Sequence, residues 1–291
     1  MKQRVIGDVS VSAIGLGGMP MSIEGRPDER RSVATIHAAL EAGVTLIDTA
    51  DAYHLAAHDE VGHNESLIAK AVREFSGATD EVLIATKGGH LRPEPGPWAQ
   101  NGHPEYLKEA AKASAKRLGV EAIGLYQFHR PDPAVPYAES IGALAELLDE
   151  GVIRMAGISN ADPEQIRTAN EVLDGRLASV QNQYSPRFRS SEPELELCDE
   201  LGIAFLPWSP LGGITNAADL GTAYEDFAYV ARDRGVTPQV VALAWELAKS
   251  DVVVPIPGAS RPQSILDSVT AVSVKLRPEE VARLDASQAA A

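Results

Sequence analysis

Residues 123–158 read IGLYQFHRPDPAVPYAESIGALAELLDEGVIRMAGI, and this stretch contains the repeating unit of the fold. It begins with an apolar run, Ile123–Phe128, and ends with a second one, Ile153–Ile158. Between them, Tyr137–Asp149 places apolar residues at helical spacing and is followed by Gly151, which is typical of a helix end. A strand, a helix and a second strand in this order predict two parallel strands joined by a crossover helix.

The same alternation runs through the whole chain. Eight short apolar runs are candidate strands, and their continuous apolar character is typical of strands buried on both faces of a parallel sheet. They are Ser12–Gly17, Val44–Ile47, Val82–Ala85, Ile123–Phe128, Ile153–Ile158, Ala178–Gln181, Ile203–Trp208 and Val252–Ile256. The intervening helical patterns are Asp28–Ala42, Asn64–Phe75, Pro104–Leu118, Tyr137–Asp149, Asp162–Val172, Glu192–Leu201, Ala223–Gly235 and Pro262–Thr270. Eight is the strand number that closes such a sheet into a (β/α)8 barrel.

Three further segments flank the repeating units. Arg4–Ser12 resembles a small hairpin that would cap the barrel floor, and Pro238–Ser250 and Pro278–Ala286 are extra helical patterns. The expected fold class is therefore α/β, a (β/α)8 TIM barrel with an N-terminal β-hairpin and extra C-terminal helices, formed by residues 1–291 as a single domain. An open doubly wound sheet is the alternative, but SAIGLGGMP, between the first strand and the first helix, lacks the GxGxxG spacing.

Composition limits the class of protein. The chain has 291 residues, is 44% apolar and carries a formal net charge of −15, which disfavours binding to nucleic acid or to anionic lipid. No apolar stretch approaches the roughly 20 residues of a membrane helix, and MKQRVIGDVSVS lacks the apolar segment of a signal peptide. Cys198 is the only cysteine, and we interpret it as a small buried apolar residue. We expect a cytoplasmic protein without nucleic-acid or membrane partners.

Polar residues follow three consecutive candidate strands. Asp48 and His129 come directly after the second and fourth runs, Lys87 comes two positions after the third, and Tyr53 lies five positions beyond Asp48. Because the carboxyl ends of barrel strands meet at one face, these side chains are predicted to share one cavity. A lysine cation stabilises a phenolate and lowers its pKa, and an aspartate keeps the lysine charged. The set suits a general acid that protonates a developing alkoxide, with His129 orienting a carbonyl oxygen.

The longest expected loop, Gly88–His103, follows the third strand. Its prolines and glycines predict that it lacks regular structure, and loops of this length in compact proteins are often functional. We expect His90 and Trp98 to line a substrate pocket there. A separate histidine-rich loop carries His54, His58 and His63, but the chain has no HExxH motif and no cysteine-based zinc spacing, so no metal site is expected.

Seven segments resemble, in this order, the signature segments of the aldo-keto reductases: IDTADAY, IATKGG, YQFHRPD, GISN, VQNQYS, PWSPLGG and IPGAS. Together they extend over nearly the whole chain, which makes the resemblance far more specific than any single segment. The resemblance implies the barrel, an extended nicotinamide cofactor, no metal, and a catalytic tetrad of Asp48, Tyr53, Lys87 and His129. The implied activity is NAD(P)H-dependent reduction of an aldehyde or ketone by hydride transfer, with Tyr53 donating the proton.

The resemblance also implies where the cofactor binds. Ser159, Asn160 and Gln181 would hydrogen-bond the nicotinamide carboxamide, Trp208 would stack on the ring, and the loop around Leu211 would wrap the pyrophosphate. The expected cofactor-binding residues are Gly18, Met19, Ser159, Asn160, Gln181, Trp208, Ser209, Pro210, Leu211, Gly213, Ile256, Gly258, Ala259, Ser260, Arg261, Ser264, Asp267 and Ser268.

The adenosine end departs from the family pattern. Many members carry a lysine and an arginine that meet the 2′-phosphate, and this chain has Gly258 and Ser264 at those positions. Arg261 is the nearby cation that can take over the phosphate. Asp267–Ser268 stands where the family often places Glu–Asn facing adenine. NADPH is the expected cofactor, and NADH is the alternative.

Two other functions stay open at this point. A protein of the same fold can serve as a cofactor-sensing binding subunit with little turnover. Lys87 could also act as a Schiff-base nucleophile, as in aldolases, although Asp48 would hold it protonated and non-nucleophilic. The expected partner is a small-molecule carbonyl substrate, and the family's common form predicts a monomer.

Overall fold

The computed structural model describes residues 1–93 and 96–289. Within these residues the strands are, in chain order, β1 (Gln3–Ile6), β2 (Val9–Ser12), β3 (Leu16–Gly17), β4 (Leu46–Asp48), β5 (Leu83–Gly88), β6 (His90–Leu91), β7 (Ala99–Gln100), β8 (Ile123–Phe128), β9 (Ile153–Ser159), β10 (Leu177–Gln181) and β11 (Ala204–Phe205). Seven of them are parallel and form one sheet in the order β11-β10-β9-β8-β5-β4-β3, and two short antiparallel pairs stand apart from it.

Residues 252–258 close the sheet into a barrel. On one side, Val254 N donates to the carbonyl oxygen of Phe205 in β11 at 2.9 Å. On the other side, Gly15 N donates to Pro255 O at 2.9 Å, and Gly17 N of β3 donates to Pro257 O at 3.0 Å. The segment therefore occupies the eighth strand position, and the fold is the predicted (β/α)8 barrel with an N-terminal hairpin.

The predicted eighth strand, Val252–Ile256, is nevertheless not a regular strand. Pro255 and Pro257 accept hydrogen bonds from the first strand but have no N–H to donate in return. The same effect shortens the predicted seventh strand, since Pro207 follows β11 within the predicted Ile203–Trp208. The first strand is also shorter than predicted: Ser12 belongs to the hairpin strand β2, and residues 13–15 connect it to β3.

Helices fill the outer layer, and their caps explain their ends. Asp28 accepts a hydrogen bond from Arg31 N at 2.8 Å, and Asp162 forms a capping box with Gln165. Within the described residues the α-helices are α1 (Glu29–Glu41), α2 (His63–Glu74), α3 (Pro104–Leu118), α4 (Tyr137–Asp149), α5 (Pro163–Val172), α6 (Glu192–Leu201), α7 (Leu220–Ala223), α8 (Glu225–Arg234), α9 (Pro238–Lys249), α10 (Pro262–Thr270) and α11 (Pro278–Ala286).

One predicted helix begins later than expected. The pattern Ala223–Gly235 predicted one helix, but Tyr224 has an extended backbone, with φ −132° and ψ 94°, and α8 begins after it. Ala223 instead ends α7, a short preceding helix that was not predicted. The other expected helices are present, and α3, α4, α6, α10 and α11 have the predicted bounds. None of the helices that the structure describes combines the length and the apolar composition needed to cross a membrane.

The barrel interior is apolar at its floor. Ile6 and Val11 of the hairpin are buried and pack in one cluster with strand residues such as Leu46, Leu125 and Met155. The hairpin thus seals the amino-terminal ends of the strands, as the sequence predicted. Because the floor is filled with side chains, the opposite rim is the end of the barrel at which a cavity can form.

The loop after β5 corrects a prediction. The segment Gly88–His103 was expected to lack regular structure, but β6 and β7 pair antiparallel, with His90 opposite Gln100 and Leu91 opposite Ala99. Pro93 and Pro97 lie outside the paired residues, so neither removes a ladder hydrogen bond. Glu94 and Pro95, also within that segment, lie outside the described residues.

Candidate active site

A cavity of about 550 Å³ opens at the carboxyl ends of the barrel strands. It brings together most of the residues that the sequence singled out, from segments that are far apart in the chain. The predicted residues that line it are Met19, Asp48, Tyr53, His90, Trp98, His129, Ser159, Asn160, Gln181, Trp208, Ser209, Pro210, Leu211, Gly213, Ile256 and Gly258.

Lys87 lies behind this wall and is completely buried. Its Nζ donates to Asp48 Oδ1 at 2.6 Å, to the carbonyl oxygen of Thr49 at 2.7 Å and to the Tyr53 hydroxyl at 3.2 Å. An ammonium group has three donors, so these three acceptors satisfy it fully. The arrangement links the phenol, the ammonium and the carboxylate in one hydrogen-bonded chain.

Asp48 is held from its other side by two amides. Its Oδ2 accepts from Gln181 Nε2 at 2.8 Å and from Gln127 Nε2 at 3.4 Å. Gln127 pairs with Lys87 across β5 and β8, and with Gly157 across β8 and β9. A Cβ at Gly157 would come within 2.9 Å of the Gln127 side chain, so only glycine leaves it room.

Gln127 was not among the site residues predicted from the sequence. Its signal is present in YQFHRPD, where it is the polar residue of an otherwise apolar buried run. A fully buried amide requires hydrogen-bond partners, and here Asp48 and Gln181 supply them. Gln127 therefore orients the carboxylate without lining the cavity.

The pKa of Tyr53 corrects another expectation. Burial raises the pKa of Tyr53 above its ordinary value, and this effect outweighs the lowering by the Lys87 ammonium. Burial alone would lower the pKa of Lys87, but the Asp48 carboxylate and Tyr53 reverse that effect and raise it. At neutral pH the phenol thus keeps its proton and the lysine keeps its charge, which is the state that a proton donor requires.

His129 is neutral and faces Tyr53. Their rings meet edge to face, with 5.7 Å between centroids. Burial, reinforced by the charge of Lys87, lowers the pKa of His129 well below its ordinary value. Its Nδ1 has no hydrogen-bond partner among the described residues. A neutral imidazole carries one N–H and one acceptor nitrogen, so His129 can donate one hydrogen bond to a carbonyl oxygen.

The hairpin of β6 and β7 covers this end of the cavity with aromatic rings. His90 stacks on Trp98 with 4.6 Å between centroids and meets His129 edge to face at 4.9 Å. The guanidinium of Arg92 lies 5.0 Å from the Trp98 ring. The two residues predicted to line a substrate pocket are therefore in contact with each other and adjacent to the proposed catalytic histidine.

Asp51 fixes the loop that carries Tyr53. Its backbone N–H donates to Lys87 O at 3.2 Å, and its carbonyl accepts from Gly62 N at 2.7 Å. Asp51 is 2% exposed, and its Oδ1 has no partner among the described residues. Burial, followed by the repulsion of Glu65, raises the pKa of Asp51 to about 8.

This raised pKa predicts a pH-dependent stability. In the unfolded chain an aspartate has a pKa of about 3.9. Between about pH 4 and 8 the folded state therefore binds one more proton than the unfolded state. The stability that Asp51 contributes is fully present below about pH 4. It is lost progressively as the pH rises from there through about 8. Replacement Asp51→Asn should therefore stabilise the protein most at pH 9 and least at pH 4, measured by urea unfolding.

The control for this experiment is Asp80→Asn, because Asp80 is exposed in a turn. The difference in unfolding free energy between each variant and the original chain should depend on pH for Asp51→Asn and not for Asp80→Asn. A pH-independent difference for Asp51→Asn would show that its carboxyl titrates as an exposed one.

The cavity wall at the carboxyl ends of β9 and β10 presents hydrogen-bonding groups to the cavity. Ser159 Oγ donates to Gln181 O at 2.7 Å, and Asn160 Nδ2 donates to His129 O at 3.0 Å. Asn160 has a left-handed backbone, with φ 57°, a conformation that asparagine tolerates better than most residues. Among the described residues, nothing donates to Gln181 Oε1 or Asn160 Oδ1, so both oxygens are available as acceptors.

Trp208 and the loop after it form the next part of the wall. The Trp208 Nε1–H has no acceptor among the described residues. Ser209, Gly212 and Gly213 have positive φ angles of 52°, 85° and 97°. In the part of the chain that the structure describes, the Gly213 N–H donates to no acceptor, whereas the Gly212 N–H donates to Ser209 O. Free backbone amides in such a turn suit an anionic group.

The remaining predicted cofactor residues lie outside the cavity wall. Arg261 Nε donates to Ser264 Oγ at 3.0 Å at the start of α10, and neither residue lines the cavity. Asp267 accepts from Thr237 Oγ1 at 2.8 Å, and Ser268 donates to Ser264 O at 3.0 Å, so both have partners within the protein. The others that do not line the cavity are Gly18, Ala259 and Ser260.

Gly18 has a packing reason to be glycine. A Cβ there would lie 2.4 Å from Asn64 Oδ1 and 2.9 Å from the carbonyl oxygen of Asp48. The close approach lets Gly18 N donate to Asp48 O at 2.8 Å, which connects the first βα loop to β4, the strand that carries Asp48. Met19 then lines the cavity.

Several lining residues were not predicted. They are Gly17, Pro20, Gln100, Arg130, Ile214, Ala217 and Pro257. Arg130 could have been found, because it directly follows His129 at a strand end. In the histidine-rich loop, His63 Nδ1 lies 2.9 Å from Ser22 Oγ, and Asp59 is paired with Arg26. The described residues contain no cluster of three or more His, Cys, Asp or Glu arranged to hold a metal.

Comparison with known proteins agrees with this site. The Aldo/keto reductase family model matches residues 13–289. An uncharacterized oxidoreductase of Schizosaccharomyces pombe is 35% identical over 284 residues, 96% of this chain and 88% of that protein. The holo form of an aldo-keto reductase from Bacillus halodurans superposes with a TM-score of 0.79 at 30% identity, and covers 98% of this chain and 95% of its own.

A second solved structure was determined with a cofactor. It is an aldo/keto reductase from Klebsiella pneumoniae in complex with NADP and acetate, with a TM-score of 0.79 at 27% identity, covering 98% of this chain and 95% of its own. The family match extends over nearly the whole chain, and the similar proteins are named as oxidoreductases. The chain is an oxidoreductase that belongs to the aldo/keto reductase family.

Proposed function

We propose that this protein reduces an aldehyde or ketone to an alcohol by hydride transfer from NADPH, with Tyr53 as the proton donor. The observation that carries the proposal is the hydrogen-bonded chain from Tyr53 through Lys87 to Asp48 at the cavity wall. His129 faces the same phenol. Protonated phenol, charged lysine and neutral histidine are together the groups that a carbonyl reduction needs.

The wall opposite Tyr53 fits a nicotinamide. A carboxamide has two N–H donors and one carbonyl acceptor, and the free oxygens of Gln181 and Asn160 complement the donors. Trp208 offers a flat apolar face for the ring, and the free Gly213 amide suits the pyrophosphate. When bound there, the reduced cofactor supplies the hydride, which the side chains of this chain cannot supply.

The side chains have separate tasks in the proposed reaction. Tyr53 gives its proton to the carbonyl oxygen as negative charge develops on it. Lys87 stabilises the phenolate that remains, across 3.2 Å, and Asp48 holds the lysine in position. His129 donates its N–H to the same oxygen and orients the carbonyl. Because Lys87 is protonated and all its donors are used, it cannot serve as a Schiff-base nucleophile.

A binding and turnover experiment tests the proposal. Titration with NADPH and with NADH, followed by protein fluorescence, should show saturable quenching from Trp208. Steady-state assays with a panel of small aldehydes and ketones should then show oxidation of the reduced cofactor. Binding of cofactor without turnover of any carbonyl compound would contradict the proposed reductase and favour a cofactor-sensing subunit.

Arg261 is proposed to select NADPH over NADH. Its guanidinium lies exposed at the start of α10, and beyond Nε, which bonds Ser264, its remaining donors can meet a phosphate. Replacement Arg261→Ala should raise the Kd for NADPH by about tenfold or more, since charge-assisted hydrogen bonds contribute roughly 1.5–3 kcal/mol. The Kd for NADH should change far less.

Fluorescence titration of both cofactors measures this change in preference. Arg232→Ala is the matched control, because Arg232 is an exposed arginine on α8. An equal loss of affinity for NADPH and NADH in Arg261→Ala would exclude a contact to the 2′-phosphate.

A further inference from the structure

The cavity wall carries one uncompensated charge. Among the residues that the structure describes, two charged side chains line it, and one of them, Asp48, is paired with Lys87 at 2.6 Å. His90 and His129 also line the cavity, but burial lowers the pKa of His90 to about 4 and that of His129 well below its ordinary value. Both are neutral at pH 7. Arg130 therefore makes the cavity positive, although the chain has a net charge of −15.

Arg130 differs from comparable arginines in this chain. Across residues 1–93 and 96–289, it is the only partly buried arginine whose guanidinium makes no hydrogen bond or salt bridge. The buried or partly buried arginines that do have acceptors are Arg4, Arg26, Arg92, Arg117, Arg189 and Arg234. The nearby carboxylate of Asp132 is already engaged, since it accepts from Gly102 N at 2.8 Å and from Ala134 N at 2.9 Å.

The position of Arg130 points to the substrate rather than to the cofactor. It directly follows His129, and its positive charge acts to lower the pKa of Tyr53, His90 and His129. Arg130 lines the same cavity as the proposed proton donor and the aromatic rings of His90 and Trp98. The groups assigned to the nicotinamide, among them Trp208, belong to other strand ends.

We propose that Arg130 binds an acidic group of the substrate, so that the preferred substrates are small aldehydes or ketones that carry a carboxylate or a phosphate. The planar guanidinium can donate two parallel hydrogen bonds to either group. This inference rests on the proposed carbonyl reduction. In that reaction the carbonyl carbon gains a hydride and the reduced cofactor is oxidised, the oxygen gains the Tyr53 proton, and the acidic group stays ionised on Arg130.

Matched substrate pairs test the proposal. One pair is 4-carboxybenzaldehyde and its methyl ester, and the other is glyceraldehyde 3-phosphate and glyceraldehyde. The measured quantity is the ratio of kcat/KM for the acidic member to that for the neutral member. The original chain should prefer the acidic member in at least one pair, and the pair that shows the preference identifies carboxylate or phosphate.

Replacement Arg130→Met should lower that ratio by about 10- to 100-fold, which is the effect of losing charge-assisted hydrogen bonds. Arg130→Lys keeps the charge without the planar fork and should give an intermediate ratio. Arg154→Met is the control, because Arg154 is exposed near the amino end of β9, away from the cavity. An unchanged ratio in Arg130→Met, or a preference of the original chain for both neutral members, would overturn the proposal.

A binding measurement distinguishes a failure of this proposal from a failure of the proposed reductase activity. Calorimetric titration with 4-carboxybenzaldehyde and its ester, in the presence of NADP, measures affinity without any turnover. Tight binding of the acid that Arg130→Met removes, together with no reduction of any aldehyde, would support the role of Arg130 and contradict the reductase. Turnover of neutral and acidic aldehydes at equal efficiency would support the reductase and contradict the role of Arg130.

Discussion

Replacement Tyr53→Phe is expected to lower kcat for aldehyde reduction by about 100- to 10,000-fold, the range that general acid catalysis contributes. The phenyl ring retains the packing against His129 but has no proton to give. Lys87 keeps two of its three partners, Asp48 and the Thr49 carbonyl, so the ion pair remains intact. The loss should therefore appear in kcat and not in the Kd for NADPH.

Stopped-flow and steady-state assays would measure the loss, with thermal unfolding as the check on the fold. Tyr229→Phe is the matched control, because Tyr229 is half exposed on α8 and far along the chain from the tetrad. Turnover of Tyr53→Phe within a few-fold of the original chain would exclude Tyr53 as the proton donor. A loss of NADPH binding would instead assign Tyr53 to the cofactor.

Replacement Lys87→Met is expected to reduce both activity and stability. Asp48 is 4% exposed, and without Lys87 its charge would have only the amides of Gln181 and Gln127 as partners. Removing one member of a buried ion pair costs about 3–5 kcal/mol, which urea unfolding can measure directly. Reduction should fall as far as in Tyr53→Phe, because no cation stabilises the phenolate.

The double variant Lys87→Met with Asp48→Asn distinguishes the two effects. It replaces the unpaired carboxylate by a neutral amide, so it should recover most of the lost stability. It should recover no activity, since the lysine charge is still absent. If Lys87→Met left the free energy of unfolding unchanged, this would contradict a buried ion pair. If activity returned in the double variant, this would contradict a catalytic role for the lysine charge.

Local signals in the sequence were sufficient for most of the helices. Pro104 at the first turn and Gly119 after the last residue define α3, and Gly119 has the left-handed backbone of a helix cap, with φ 72°. The predicted bounds of α3 agree with the structure for this reason. The order of strands and helices, and the residues at the strand ends, were likewise readable because they depend on periodicity within a short window.

The sequence by itself therefore determined the barrel and the identity of the residues at its rim. Only the tertiary structure decided how those residues behave. Asp48 and Gln181 are 133 positions apart, yet their hydrogen bond fixes the carboxylate that holds Lys87. Burial raises the pKa of Tyr53 and leaves Arg130 facing the cavity without a partner among the described residues. Desolvation and pairing depend on groups brought together by folding, and no local pattern encodes them.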